Sequence, residues 1–224
     1  LPARLTADEA WQLSPGWEPP SPLWALAGAG GDELAPAGLD VRDDGPGLVV
    51  AGPPRSGRST TLLTMARSLL ARGTPVVVIT PRRSPLRSLA GAGGVLAVLG
   101  PEAGADDLTK AIGDRDCYVV LADDAELLVN GPLSDPLEKI VRTGRDGDHG
   151  LVLAGSTPDF TRAYSGFVPA ALKSRAGILV AVDTPNDGDL FNIRLPRNAG
   201  PGPLGRGLLI RPGRVMPVQL AVAE

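Results

Sequence analysis

Short, continuous apolar runs recur along this chain, separated by stretches with helical spacing, and that alternation constrains the fold more than any other feature. Leu48–Ala51, Pro75–Thr80, Cys117–Leu121, Leu151–Ala154, Ile178–Val182 and Gly207–Ile210 read as strands, with Val95–Leu99 as a further one and Val215–Val222 closing the chain. Between them, Ser59–Arg72, Ala105–Ile112 and Pro136–Thr143 place apolar residues at helical intervals. A strand that is apolar on both faces must be covered on both. The pattern therefore predicts an α/β three-layer sandwich around a mainly parallel central sheet.

Composition narrows the function classes. With 22 Lys+Arg against 25 Asp+Glu, the net charge of −3 argues against a strong, self-sufficient nucleic-acid surface. No apolar run approaches the ~20 residues of a membrane helix, and Leu1–Ala10 lacks the apolar segment of a signal peptide. The chain opens on Leu1 rather than Met, as expected of a piece of a longer protein. The single cysteine, Cys117, excludes an intrachain disulfide and reads as a small core residue. His149, the only histidine, has no second histidine or cysteine to join at a metal.

The most informative motif lies where the first strong strand meets the first strong helix. Gly52-Pro53-Pro54-Arg55-Ser56-Gly57-Arg58-Ser59-Thr60 follows the phosphate-loop pattern G-x-x-x-x-G-K-[ST], with Arg58 in the lysine position. Two glycines allow a close backbone approach, and successive N–H groups plus the helix N-terminus face phosphate oxygens. Ser59 offers a hydroxyl to Mg²⁺. Arg58 keeps the charge but replaces a compact ammonium with a larger, planar guanidinium, so ATP binding is expected to be weak and hydrolysis doubtful.

An apolar strand ending in carboxylates should complete such a site, and Tyr118–Ala122 followed by Asp123-Asp124 supplies it. Asp123 suits the Mg²⁺ shell. Asp124 suits the residue that polarises the attacking water, but lies one methylene short of the usual glutamate. Glu126, two residues further on, is expected to point elsewhere. The alternative reading of Asp123-Asp124 is a helix N-cap. The run Pro75–Thr80, between the two motifs in sequence, favours the RecA-like arrangement.

At the N-terminus, Ser14–Pro22 is too rich in proline for a helix, and Trp11, Trp17 and Trp24 all fall nearby. Residues 1–38 are read as an arm packed on or leading into a core domain of residues 39–224. The arm either docks a neighbour or folds onto its own core. Arg82, Arg83 and Arg87 form a small basic cluster read as a solvated loop.

Several stretches resemble the FtsK/SpoIIIE family of P-loop motor ATPases, especially the EccC-type modules of actinobacterial type VII secretion. They are Asp32–Val41, the phosphate loop, Gly144-Arg145 ahead of Leu151–Ala154, Ile178–Leu195, and Gly205-Arg206-Gly207 with Val218-Gln219. The resemblance implies a RecA-like fold, ATP and Mg²⁺ as ligands, and a cytoplasmic module of a membrane-anchored parent. It further implies other ATPase modules as partners, a homo-hexameric ring, and Arg145 as an arginine finger reaching a neighbour's nucleotide. A solvated arginine at a helix end is the alternative for Arg145.

Three departures, Arg58, Asp124 and Ser156 at the polar sensor position, point to one of the family's degenerate modules. Protein cargo is slightly favoured over DNA. The alternatives are a non-enzymatic scaffold or secretion-substrate receptor, and a DNA-translocating motor domain.

Overall fold

The computed structural model describes residues 1–200 and 202–223. The elements in chain order are α1 (Ala7–Gln12), β1 (Trp24–Gly30), β2 (Ala35–Asp40), β3 (Gly47–Ala51), α2 (Arg58–Ala71), β4 (Val76–Ile79), β5 (Val95–Leu99), α3 (Ala105–Ile112) and β6 (Tyr118–Ala122). They continue with α4 (Ser134–Thr143), β7 (His149–Gly155), α5 (Thr157–Thr161), α6 (Phe167–Leu172), β8 (Gly177–Val180), β9 (Arg206–Arg211) and β10 (Arg214–Leu220).

One ten-stranded sheet runs in the order β2-β1-β10-β9-β8-β3-β7-β6-β4-β5. The half from β8 to β5 is parallel throughout, and the half from β9 to β2 is antiparallel. The strand that separates β3 from β6 in space is β7, although β4 and β5 separate them in sequence. The carboxyl ends of β3, β7 and β6 therefore line up side by side. Open parallel sheets bind ligands at that end.

Alternation along the strands sorts the core into two layers. Leu48 and Val50 face α2, whose Leu62, Met65, Ala66 and Leu69 cover them. Val49 and Ala51 face the other way, toward Leu137, Phe160, Phe167 and Val168. These side chains are buried, as the continuous apolar runs require.

Residues 1–38 contribute α1, β1 and most of β2. The three tryptophans pack on one another, with ring centroids 5.2 to 6.2 Å apart, and Trp24 is buried in β1 beside Leu5, Ala10 and Leu26. Their aromatic area is used within the chain. Cys117, expected in the core, is exposed just before β6. His149 stacks on Tyr118 with centroids 4.9 Å apart, and its ring nitrogens meet Thr143 Oγ1 at 2.8 Å and the Asp116 carbonyl at 3.3 Å. Among the described residues, no helix is long and apolar enough to cross a membrane.

Candidate functional site

β3 delivers the chain into the loop Gly52–Gly57, and α2 begins at Arg58. At Gly52 the backbone runs so close to β8 that a Cβ would stand 2.4 Å from the Val180 carbonyl oxygen. Gly57, the residue before α2, has φ +104°, a left-handed conformation that side chains disfavour. No side chain caps the first N–H groups of α2. Arg55 adds a second left-handed turn at φ +64°, and Thr60 follows in the first turn of α2. Pro53 and Pro54 carry no N–H and restrict the loop before Ser56. The resulting concavity is of the kind that receives phosphate oxygens.

Three buried polar atoms without a hydrogen-bond partner flank it. Among the described residues these are Ser56 Oγ, Glu126 Oε2 and Thr157 Oγ1, on the segments that follow β3, β6 and β7. An unpaired buried polar atom costs about 1–3 kcal/mol, so a group supplying partners here would be favoured. The two hydroxyls can donate to the phosphate oxygens of a nucleotide, whereas the Glu126 oxygen calls for a donor or a cation.

Arg58 bridges the first residue of the cradle and the acid that follows β6. Its Nη1 donates to the Gly52 carbonyl at 3.3 Å, and its Nη2 donates to Asp124 Oδ1 at 3.4 Å. The guanidinium thus spans from the end of β3 to the end of β6, across the tip of β7. Its side chain is 12% exposed and that of Asp124 is 20% exposed. Asp124 sits at the N-cap position of a 3₁₀ turn, Ala125–Leu128, yet its side chain makes no capping bond. Its carboxylate faces Arg58 instead.

Glu126 corrects the expectation that it points elsewhere. Asp124 adopts a left-handed conformation, φ 44° and ψ 46°, which reverses the chain at the start of the 3₁₀ turn. Glu126 then faces the same guanidinium, with Oε1 3.9 Å from Arg58 Nη1. A Cβ on Gly155, at the tip of β7, would stand 2.4 Å from Glu126 Oε2. Burial pushes the Glu126 carboxyl up from its ordinary value, and the Asp124 charge adds to the rise. Backbone N–H groups and Arg58 pull the other way without reversing it. Desolvation outweighs the attraction of a cation 3.9 Å away.

Asp123 is 2% exposed and already engaged. Ser84 Oγ donates to its Oδ2 at 2.6 Å, and the Asp124 N–H donates to its Oδ1 at 3.1 Å. Ser84 was missed in the sequence, although a Ser-Pro pair at the start of a turn is a capping signal. It caps the 3₁₀ turn Pro85–Leu89, accepting from the Leu86 N–H at 3.2 Å. Ser59, in the first turn of α2, and Asp123 are the residues that would hold Mg²⁺, whose charge would offset that of the phosphates.

Arg145 is exposed on the loop before β7, at the opposite end of the parallel strands from Gly52–Thr60. The structure does not bring it to this chain's own phosphate loop. Ser156 precedes α5 and caps nothing with its side chain. Of the basic cluster, Arg87 is tied to Thr80 by hydrogen bonds of 3.1 and 3.2 Å, whereas Arg82 and Arg83 are exposed.

The sheet order, the glycine cradle after β3 and the acids after β6 define a P-loop ATPase fold. More particularly, the fold is that of the EssC and EccC ATPase domains of type VII secretion. The cytoplasmic domain of EssC superposes with a TM-score of 0.78 at 15% identity, covering 100% of this chain and 48% of that one. Thermomonospora curvata EccC, ATPases 2 and 3 in complex with a signal sequence peptide, gives 0.73 at 21% identity, covering 100% and 44%. The pCW3 conjugation coupling protein TcpA, with ATPγS, gives 0.59 at 13%, covering 99% and 70%. The chain thus spans less than half the length of the EssC and EccC structures. No protein-family model and no curated protein matches it.

Proposed function

We propose that this chain is a nucleotide-binding module of an FtsK/SpoIIIE/EccC-like translocase, a degenerate one with weak or no ATP hydrolysis. The observation that carries this reading is the pairing of an intact phosphate cradle with an Arg58 drawn onto Gly52 and Asp124 at 3.3 and 3.4 Å. The loop Gly52–Thr60 supports binding of ATP or ADP, chiefly through the N–H groups that open α2, with Ser59 and Asp123 as the Mg²⁺ side. The displaced cation supports weak affinity, in the micromolar range or poorer. An Asp124 occupied by Arg58 is poorly placed to polarise a water.

In this reading the module works beside other ATPase modules of a cytoplasmic assembly, in a hexameric ring where Arg145 serves a neighbour's site. Arg145 lies at the far end of the strands from its own loop, which leaves it available for such a trans role. Protein cargo is favoured over DNA, since the net charge is −3 and Arg87 is tied to Thr80. Because an arginine finger is worth roughly 10³–10⁵ in rate in related chemistry, the chain alone should turn over at background. Calorimetric titration with Mg-ADP and a phosphate-release assay test this together. Binding without turnover supports the module; brisk hydrolysis by the monomeric chain overturns the degenerate reading; no binding at any concentration reached favours a scaffold that keeps only the fold.

A further inference from the structure

Asp124 has a role in this chain that the P-loop pattern does not assign to the second acid. We infer that Asp124, with Glu126 behind it, is a positioning residue for Arg58: the two carboxylates hold the guanidinium off the phosphate cradle and compete with nucleotide for it. The inference rests on the nucleotide-binding reading above and concerns what sets the affinity of that site.

Three observations carry it. The guanidinium of Arg58 is enclosed between two acids, 3.4 Å from Asp124 Oδ1 and 3.9 Å from Glu126 Oε1, with all three side chains mostly buried. Its other hydrogen bond goes to the carbonyl of Gly52, the first residue of the cradle, so one cation is held by the loop that should use it. Meanwhile Ser56, inside that loop, keeps a buried hydroxyl with no partner. The cradle is built, and the charge meant for it is lodged next door.

The geometry also says that the hold is not tight. Charge-assisted N–H···O bonds are usually about 2.7–2.9 Å long, and both Arg58 bonds exceed that. Guanidinium presents five N–H donors in a planar fork suited to phosphate. A polyphosphate entering the cradle therefore offers Arg58 better bonds than it has, at the cost of leaving Asp124 and Glu126 buried without their cation. Affinity is the balance of the two. Lysine, with a compact ammonium, would not bridge the same span.

The test is a binding cycle on the intact 224-residue chain with ADP as the probe, so that turnover cannot contribute. Asp124→Asn keeps the side-chain shape and removes the charge. It should raise ADP affinity about tenfold, and Asp124→Asn with Glu126→Gln should raise it further. In an Arg58→Gln background the same changes should raise affinity much less, because only the direct repulsion between carboxylate and phosphate remains to be relieved. An acid that merely repels the phosphates would give a gain at least as large without Arg58. Circular dichroism melting of each variant confirms that a folded protein is being titrated.

If the wild-type chain binds ADP and Asp124→Asn binds no better, or if the gain is undiminished without Arg58, the competition is overturned while the nucleotide reading stands. If neither the wild type nor any variant binds ADP, the nucleotide reading itself fails and the competition falls with it.

Discussion

Ser84 Oγ donates to Asp123 Oδ2 at 2.6 Å, tying the loop after β4 to the acid that follows β6. The bond is buried, and it holds a carboxylate that has almost no contact with water. A hydrogen bond to a charged group contributes about 1.5–3 kcal/mol, and leaving its partner unpaired costs the desolvation of that group. Ser84→Ala should therefore lower stability by about 2 kcal/mol, measured by urea unfolding. It should also release the turn Pro85–Leu89, since Ser84 caps it. A loss under about 0.5 kcal/mol would mean that Asp123 finds another donor.

Glu126 gives a pH-dependent test. Its folded-state pKa is raised, chiefly by burial. A carboxyl raised in this way contributes stability that is complete below its unfolded pKa, roughly pH 4, and is lost as pH rises through the folded value. At neutral pH the buried charge is a cost. Glu126→Gln should match the wild type near pH 3.5 and become more stable than it as pH rises through the raised folded value. The difference between the two unfolding curves isolates this group, because other carboxyls titrate equally in both. A Glu126→Gln variant that falls below the wild type as pH rises would show that Arg58 stabilises the Glu126 carboxylate more than burial penalises it.

Gly155 sits where three parts of the site meet. A Cβ there would stand 2.2 Å from Phe160 Cζ and 2.4 Å from Glu126 Oε2. The Gly52 N–H also donates to the Gly155 carbonyl at 3.3 Å. Gly155→Ala should cost about 1–3 kcal/mol by overpacking a fully occupied space. It should also displace Glu126, so a loss of stability should come with altered accessibility of the Arg58 cluster. Thermal melting, with hydrogen exchange over 122–128, reads both.

Much of this molecule is legible in the sequence because the signals are redundant. Leu48–Ala51, Pro75–Thr80 and Leu151–Ala154 are fully apolar, bounded by turns and followed or preceded by helical spacing, so β3, β4 and β7 come out within a residue or two. The phosphate loop is legible because its glycines, its preceding strand and its following helix agree. β1 and β2 are not. Trp24-Ala-Leu-Ala-Gly-Ala-Gly and Ala35-Pro-Ala-Gly-Leu-Asp are built from residues with weak strand preference, and they become strands only by pairing with each other and with β10. The site was half legible. Asp123 and Asp124 announce themselves after an apolar strand, but Glu126 enters the site only because Asp124 is left-handed, and nothing in the spacing marks that. Ser84 lies 39 residues from the acid it holds.

The left-handed backbone at Asp124 also changes what a repair of this site can achieve. The sequence suggests restoring a lysine at 58 and a glutamate at 124. At φ 44° and ψ 46°, however, an ordinary side chain pays a steric penalty that aspartate and asparagine bear more lightly. Asp124→Glu should therefore destabilise the fold by about 1 kcal/mol, whereas Asp124→Asn should be nearly neutral in backbone terms and Asp124→Gly free of the steric term. A lysine at 58 would not span to the acids as Arg58 does, so its ammonium stays available to the phosphates, while the longer carboxylate at 124 gains no positioned water. Arg58→Lys with Asp124→Glu should consequently improve nucleotide affinity through the compact ammonium while turnover stays near background. Calorimetry and phosphate release on the same preparation separate the two effects. Brisk turnover by the double variant would show that the chain relaxes at 124 and that Arg58 and Asp124 are the whole defect.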